Sequence, residues 1–119
     1  MSHEDLQKKV DVNYLSAFYA GLLTQRQRQI LSLHYEEDLS LGEIADEVGI
    51  SRQAVHESIL RAAARMEELE SQLHMAARFR RFQSGLEEVL SALNRHDAEL
   101  AARLVRDLLA LDQEDSDGL

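Results

Sequence analysis

Apolar residues recur at helical spacing along almost the whole of this chain. Val12, Leu15, Phe18, Tyr19 and Leu22 stand three or four positions apart and predict a first helix from about Glu4 to Leu22, with Gly21 near its end. Thr24 and Gln27 form a T-x-x-Q capping box for a second helix, whose apolar face is Ile30, Leu31 and Leu33 to Tyr35. The acidic run Glu36-Glu37-Asp38 ends it. Ser40 and Glu43 repeat the capping signature for a third helix with Ile44, Ala45 and Val48 on one face, closing at Gly49.

The chain is organised around residues 41–66, LGEIADEVGISRQAVHESILRAAARM. Gly49 marks a sharp reversal, because a residue without Cβ takes positive φ at little cost. Ile50 fills the corner, and Ser51 caps the next helix, an interaction worth ~1 kcal/mol. That helix turns Ala54, Val55, Ile59 and Ala62 inward and leaves Arg52, Gln53, His56, Glu57 and Arg61 on or near its outer face. Two helices about such a corner are a helix-turn-helix unit, whose second helix is the one that meets a nucleic-acid groove.

Beyond the corner, Val55, Ile59, Ala62, Met66, Leu69, Leu73 and Ala76 alternate in steps of four and three, a heptad seam. No Gly, Pro or turn cluster interrupts residues 52–82, so the spacing predicts a stalk of ~45 Å at 1.5 Å per residue. Such a seam has to be covered by later helices of the chain, by a second copy, or by both, and a homodimer through the stalk helix is expected. Ser84 and Glu87 give a third S-x-x-E signature and predict a fifth helix facing inward with Leu86, Val89, Leu90 and Leu93. Asn94 to Asp97 form the next turn. Asp97 caps a sixth helix with a row of Leu100, Leu104, Leu108 and Leu111, widened by Ala101, Val105 and Leu109. The expected architecture is all-α: one helical domain over 1–111, with the helix-turn-helix at 40–66, the stalk to about 82 and carboxy-terminal helices at 84–111. Residues 112–119 are expected to form a disordered acidic tail.

Composition sharpens this picture. Proline and tryptophan are absent and aromatics make up 5% of the 119 residues, which favours helix and argues against a sheet. Without cysteine there is no disulfide, no thiolate metal site and no Cys nucleophile. No apolar run approaches the ~20 residues that span a bilayer, and MSHEDLQKK leads into no signal-peptide core, so a cytoplasmic protein without membrane contact is expected. The net charge of −9 falls unevenly: residues 82–119 hold 3 basic and 9 acidic side chains. A phosphate-binding footprint is basic, and this chain has none overall. Locally, Gly49 to Arg65 sets three arginines against Glu57 alone.

Arg52, Gln53, His56 and Arg61 are the candidate nucleic-acid contacts. Arginine makes bidentate bonds to guanine and glutamine to adenine, and both also bind phosphate. The alternative is a solvated helix face, or a surface that docks protein. The run RFRRF from Arg78 to Phe82 interleaves cations and aromatics as RNA-binding segments do, although Phe79 and Phe82 also fit a core role. Histidines 3, 34, 56, 74 and 96 form no i, i+4 pair, so no metal site is expected. No phosphate loop, no G-x-S-x-G and no nucleophile–base spacing is present, so neither a cofactor nor catalysis is expected.

Three stretches, FYAGLLT, SLGEIADEVGISRQAV and LESQLHM, occur in order between Leu15 and Met75. Together they resemble the YlxM-like helix-turn-helix proteins of bacteria. The central part is similar, more distantly, to region four of bacterial sigma factors, which reads the −35 promoter element. After Met75 only the helical pattern agrees. Genes of the YlxM-like family commonly lie beside those of the signal recognition particle. The resemblance therefore implies a non-enzymatic regulator of co-translational targeting, with the particle's RNA or its GTPase as partner. A sequence-specific DNA-binding transcription regulator and a protein-interaction adaptor are the alternatives.

Overall fold

The computed structural model describes residues 3–117, and the side chains of 11–111 and 113. All regular structure among them is helical: α1 (His3–Tyr19), α2 (Gln25–Leu31), α3 (Leu41–Val48), α4 (Arg52–Leu73), α5 (Met75–Asn94) and α6 (Ala98–Asp117). A 3-10 turn over Ala20–Leu22 follows α1, and a π turn over Ser32–Glu36 extends α2. The starts of α2, α3, α4 and α6 lie where the capping chemistry predicts them. Thr24 with Gln27 and Ser40 with Glu43 close complete capping boxes, and the Ser51 and Asp97 side chains accept from the backbone N–H of Ala54 and Leu100.

The chain divides into two compact units, 1–76 and 77–119. In the first unit α4 is the central element. Val55, Ala62 and Met66 are fully buried and Ile59 and Leu69 nearly so, packed among Val12, Tyr19, Leu23, Ile30, Leu31, Leu33, Ile44 and Ala45. The heptad seam is thus covered by the three preceding helices of the same chain. Residues 55–69 of that seam are therefore committed to the chain's own core, and Leu73 beyond them is exposed.

α4 is also shorter than expected. It stops at Leu73, 22 residues and ~33 Å long, instead of continuing to about 82. His74 takes a left-handed backbone (φ 55°, ψ 26°), and its N–H still closes on the Glu70 carbonyl at 2.8 Å. A non-glycine residue in that region carries a backbone cost, so something must favour the break. That something is Tyr19, 1% exposed, whose hydroxyl donates to Glu70 Oε1 at 2.6 Å and accepts from the Met75 N–H at 3.1 Å. Glu70 Oε1 accepts in turn from the Ala76 N–H at 2.9 Å. The first two amides of α5 are orphan donors of a new helix, and this tyrosine–carboxylate pair satisfies both.

Other expectations fail for local reasons. Leu22 is 62% exposed and Leu23 is buried instead, because the 3-10 turn advances the chain by three residues per turn and shifts the apolar phase. Ser84 and Glu87 start no helix: they lie inside α5, where a Cβ at Gly85 would fall against the Leu108 side chain of α6. The carboxy-terminal segment is helical to Asp117, since neither glycine nor proline precedes Gly118 to stop it; Gly118 and Leu119 lie outside the described residues.

The second unit is an antiparallel hairpin of α5 and α6 joined by a tight turn, in which His96 has φ 60°. Among its described residues only Ala92 and Ala101 are fully buried. Its larger apolar side chains are half-buried or exposed.

Burial, and then the bond to Glu70, push the Tyr19 phenol above its usual value. The neutral form is thereby favoured in the fold. The stabilisation is complete below pH ~10, where an unfolded tyrosine begins to ionise, and is lost as pH rises through the raised folded value. Replacing Tyr19 with Phe removes the donor to Glu70 and the acceptor for Met75, and should cost about 1–3 kcal/mol in urea unfolding. The alkaline loss of stability should shrink in the same variant.

Candidate nucleic-acid interface

The corner that presents α4 is built from three local choices. Ile44 and Ala45 anchor α3 in the core. Gly49 then caps α3 at φ 82°, ψ 33°, donating its N–H to the Ala45 carbonyl at 2.8 Å, with the Ile50 N–H sharing that acceptor at 3.2 Å. Ser51 restarts the helix, its hydroxyl 3.0 Å from the Ala54 nitrogen. At the entry to α3, the Ser40 backbone N–H and then its hydroxyl hold the Glu43 carboxyl below the usual range. The stabilisation from that capping box is present at neutral pH and is lost as pH falls through the lowered value.

Arg52, Gln53 and His56 are all exposed in the first turns of α4. With Leu60, 51% exposed, they share one sector of roughly 100° on the helix surface. Arg61 is exposed too, but it follows Arg52 by nine positions, about 13 Å along the axis and half a turn around it. The structure therefore groups Arg52, Gln53 and His56 and leaves Arg61 on the opposite flank. That flank also carries Arg65, paired to Glu68 at 3.3 Å in an exposed i, i+3 bridge of little energetic weight.

Arg52 does not extend freely into solvent. Its guanidinium lies over the backbone of Gly42 at the start of α3: a Cβ on that glycine would fall 2.7 Å from Nη2 and 2.9 Å from Nε. The candidate surface therefore includes the start of α3 as well as the first turns of α4. The pattern of the sequence did not assign Leu60 to this surface. Next to Ile59 in an apolar run it resembles core, and only its register places it outside. An exposed apolar side chain between polar ones is the kind that meets a thymine methyl or a partner's apolar patch.

Electrostatics limit what this face can do. α3 and α4 together carry three arginines against seven carboxylates. Glu43, Asp46, Glu47 and Glu57 are all exposed around the corner. A long track along a phosphate backbone is therefore unfavourable, whereas a short insertion of the α4 amino-terminal turns requires few cations. Among the described residues no group of three His, Asp or Glu side chains is placed to hold a metal ion. No described helix is long and apolar enough to cross a membrane.

The comparison with known families decides what this corner belongs to. Residues 6–104 match the family described as "Putative helix-turn-helix protein, YlxM / p13 like", UPF0122. The chain belongs to that family. The match extends past the corner into α6, well beyond the stretch ending at Met75 that carried the resemblance. Relatives include UPF0122 protein GK1195 of Geobacillus kaustophilus, 43% identical over 110 residues, covering 90% of this chain and 99% of the relative. UPF0122 protein BH2485 of Halalkalibacterium halodurans is 43% identical over 90 residues, 76% of this chain and 83% of its own. UPF0122 protein ABC2295 of Shouchella clausii is 47% identical over 88 residues, with coverages of 74% and 81%. This is a helix-turn-helix family and not an enzyme family.

A Cβ at Gly49 would meet open space, so replacing it with alanine tests backbone strain alone. Gly49→Ala should cost ~1–2 kcal/mol in thermal or urea unfolding. It should leave the helical content of the folded protein unchanged.

Proposed function

We propose that this protein is a non-enzymatic, cytoplasmic regulator that binds nucleic acid through the amino-terminal turns of α4, and that its nucleic acid is the RNA of the signal recognition particle. The observation that supports a binding role is the division of labour on α4. Its inward seam is consumed by the chain's own core, while Arg52, Gln53, His56 and Leu60 remain exposed on a rigid, capped helix. The helix-turn-helix family supports nucleic acid as the ligand. The resemblance to YlxM-like proteins, whose genes accompany those of the particle, supports its RNA over other targets.

A second reading has its own support. Seven carboxylates around three arginines suit a protein surface, and the GTPase of the same particle is then the partner. DNA with a promoter-like sequence is the third ligand to compare.

Fluorescence anisotropy with labelled particle RNA, a random DNA duplex and the labelled GTPase separates these readings. RNA should bind most tightly, and Arg52→Ala with Gln53→Ala should weaken it about tenfold or more. With so few cations on this face, two or three phosphates at most are neutralised, so the logarithm of affinity should fall with log salt at a slope of only about −2. Equal affinity for RNA and random duplex would contradict the assignment to the particle, as would binding untouched by the double substitution.

A further inference from the structure

Among the described residues, α5 carries more exposed large apolar side chains than any other helix. Phe79, Leu86, Leu90 and Leu93 are 50%, 57%, 58% and 50% exposed, and Phe82 beside them is half-buried. Phe79, Phe82, Leu86 and Leu90 line one shallow apolar groove. A neighbouring flank of α5, about 110° round the helix from the stripe, carries the buried Ala92 and Gly85, the latter against Leu108 of α6.

The stripe has a symmetry that an ordinary solvent-facing helix lacks. Measured from Leu86, its members stand at −7, −4, 0, +4 and +7, so reversing the direction of the helix maps the set onto itself. Under a two-fold axis at Leu86, Phe79 of one helix meets Leu93 of the other, and Phe82 meets Leu90. A two-fold interface requires this self-complementarity, since each residue that contacts another must be contacted by it. Parallel pairing would set Arg78, Arg80 and Arg81 level with the same arginines of the second copy, whereas the antiparallel axis sets them opposite Asn94, Ala92 and Ser91.

The area is sufficient. Half of each large apolar side chain amounts to roughly 100 Å², so five give about 500 Å² per copy and on the order of 1,000 Å² for the pair, the lower bound of a specific interface. Among the described residues of the hairpin only Ala92 and Ala101 are buried, a small core that further apolar burial would stabilise.

We infer that a second copy of this chain covers the α5 stripe, forming a two-fold antiparallel dimer centred on Leu86. The α4 seam takes no part. A dimer of this kind carries two recognition helices, whichever ligand they meet.

Sedimentation equilibrium of the full chain tests this. The wild type should be dimeric at micromolar concentration, and Leu86→Asp should weaken the association about 100-fold or more. Circular dichroism should show the variant still helical, because Leu86 lies outside the core of both units. The register has its own readout, since the natural chain lacks cysteine. With a short bifunctional thiol reagent, Leu86→Cys should cross-link to itself. Phe79→Cys should cross-link to Leu93→Cys in a mixture and far less to itself. A wild type that stays monomeric at ~100 µM overturns the inference and assigns the stripe to another partner; so does a dimer indifferent to Leu86→Asp, or one in which Phe79→Cys pairs best with itself.

Discussion

The architecture depends on burying one seam of α4 against the three helices that precede it. Val55, Ile59, Ala62, Met66 and Leu69 face Val12, Tyr19, Ile30 and Ile44, and none of them is more than 7% exposed. Burial of large apolar side chains contributes about 1.5–3 kcal/mol each, more than any cap or surface bridge in this chain supplies. Because that face is committed, the register of α4 is committed with it. Arg52, Gln53 and His56 are on the outside because Val55 and Ile59 are on the inside.

The same packing decides where α4 ends. Tyr19 comes up from the last residue of α1, and its hydroxyl reaches Glu70 and the Met75 N–H. A heptad seam could have run on, but the two amides that a break exposes have partners waiting in this pair. His74 then takes the left-handed cap at a cost that glycine would not have incurred. The consequence is that α4 packs within its own unit from Val55 to Leu69. The apolar residues beyond it begin a separate hairpin instead of a continuous stalk.

Most of the helix-turn-helix unit was legible in the sequence because its signals are local. Thr24 with Gln27, Ser40 with Glu43, Gly49 and Ser51 each act within four residues of themselves, and each does what its chemistry implies. What was not legible acts over distance. The break at His74 depends on a tyrosine 51 positions from Glu70, and nothing near His74 announces a turn. Ser84 and Glu87 mimic a helix start, but they lie inside α5, with Gly85 against Leu108 of α6. Of the site, Arg52, Gln53 and His56 follow from the helical period. The position of Arg52 over Gly42 and the exposure of Leu60 needed the packed corner.

Charge and shape pull the function in different directions. The corner has the form of a groove-reading unit, yet α3 and α4 carry more carboxylates than arginines. Contact confined to the first turns of α4, as proposed, reconciles the two, because few phosphates need neutralising there. Backbone amide shifts of the full chain, followed by NMR as the particle's RNA is added, test that claim most directly. Perturbations should concentrate between Gly42 and Arg61, with the α5 stripe and the buried seam unmoved. Perturbations centred on Arg78 to Phe82 with α4 silent would contradict it.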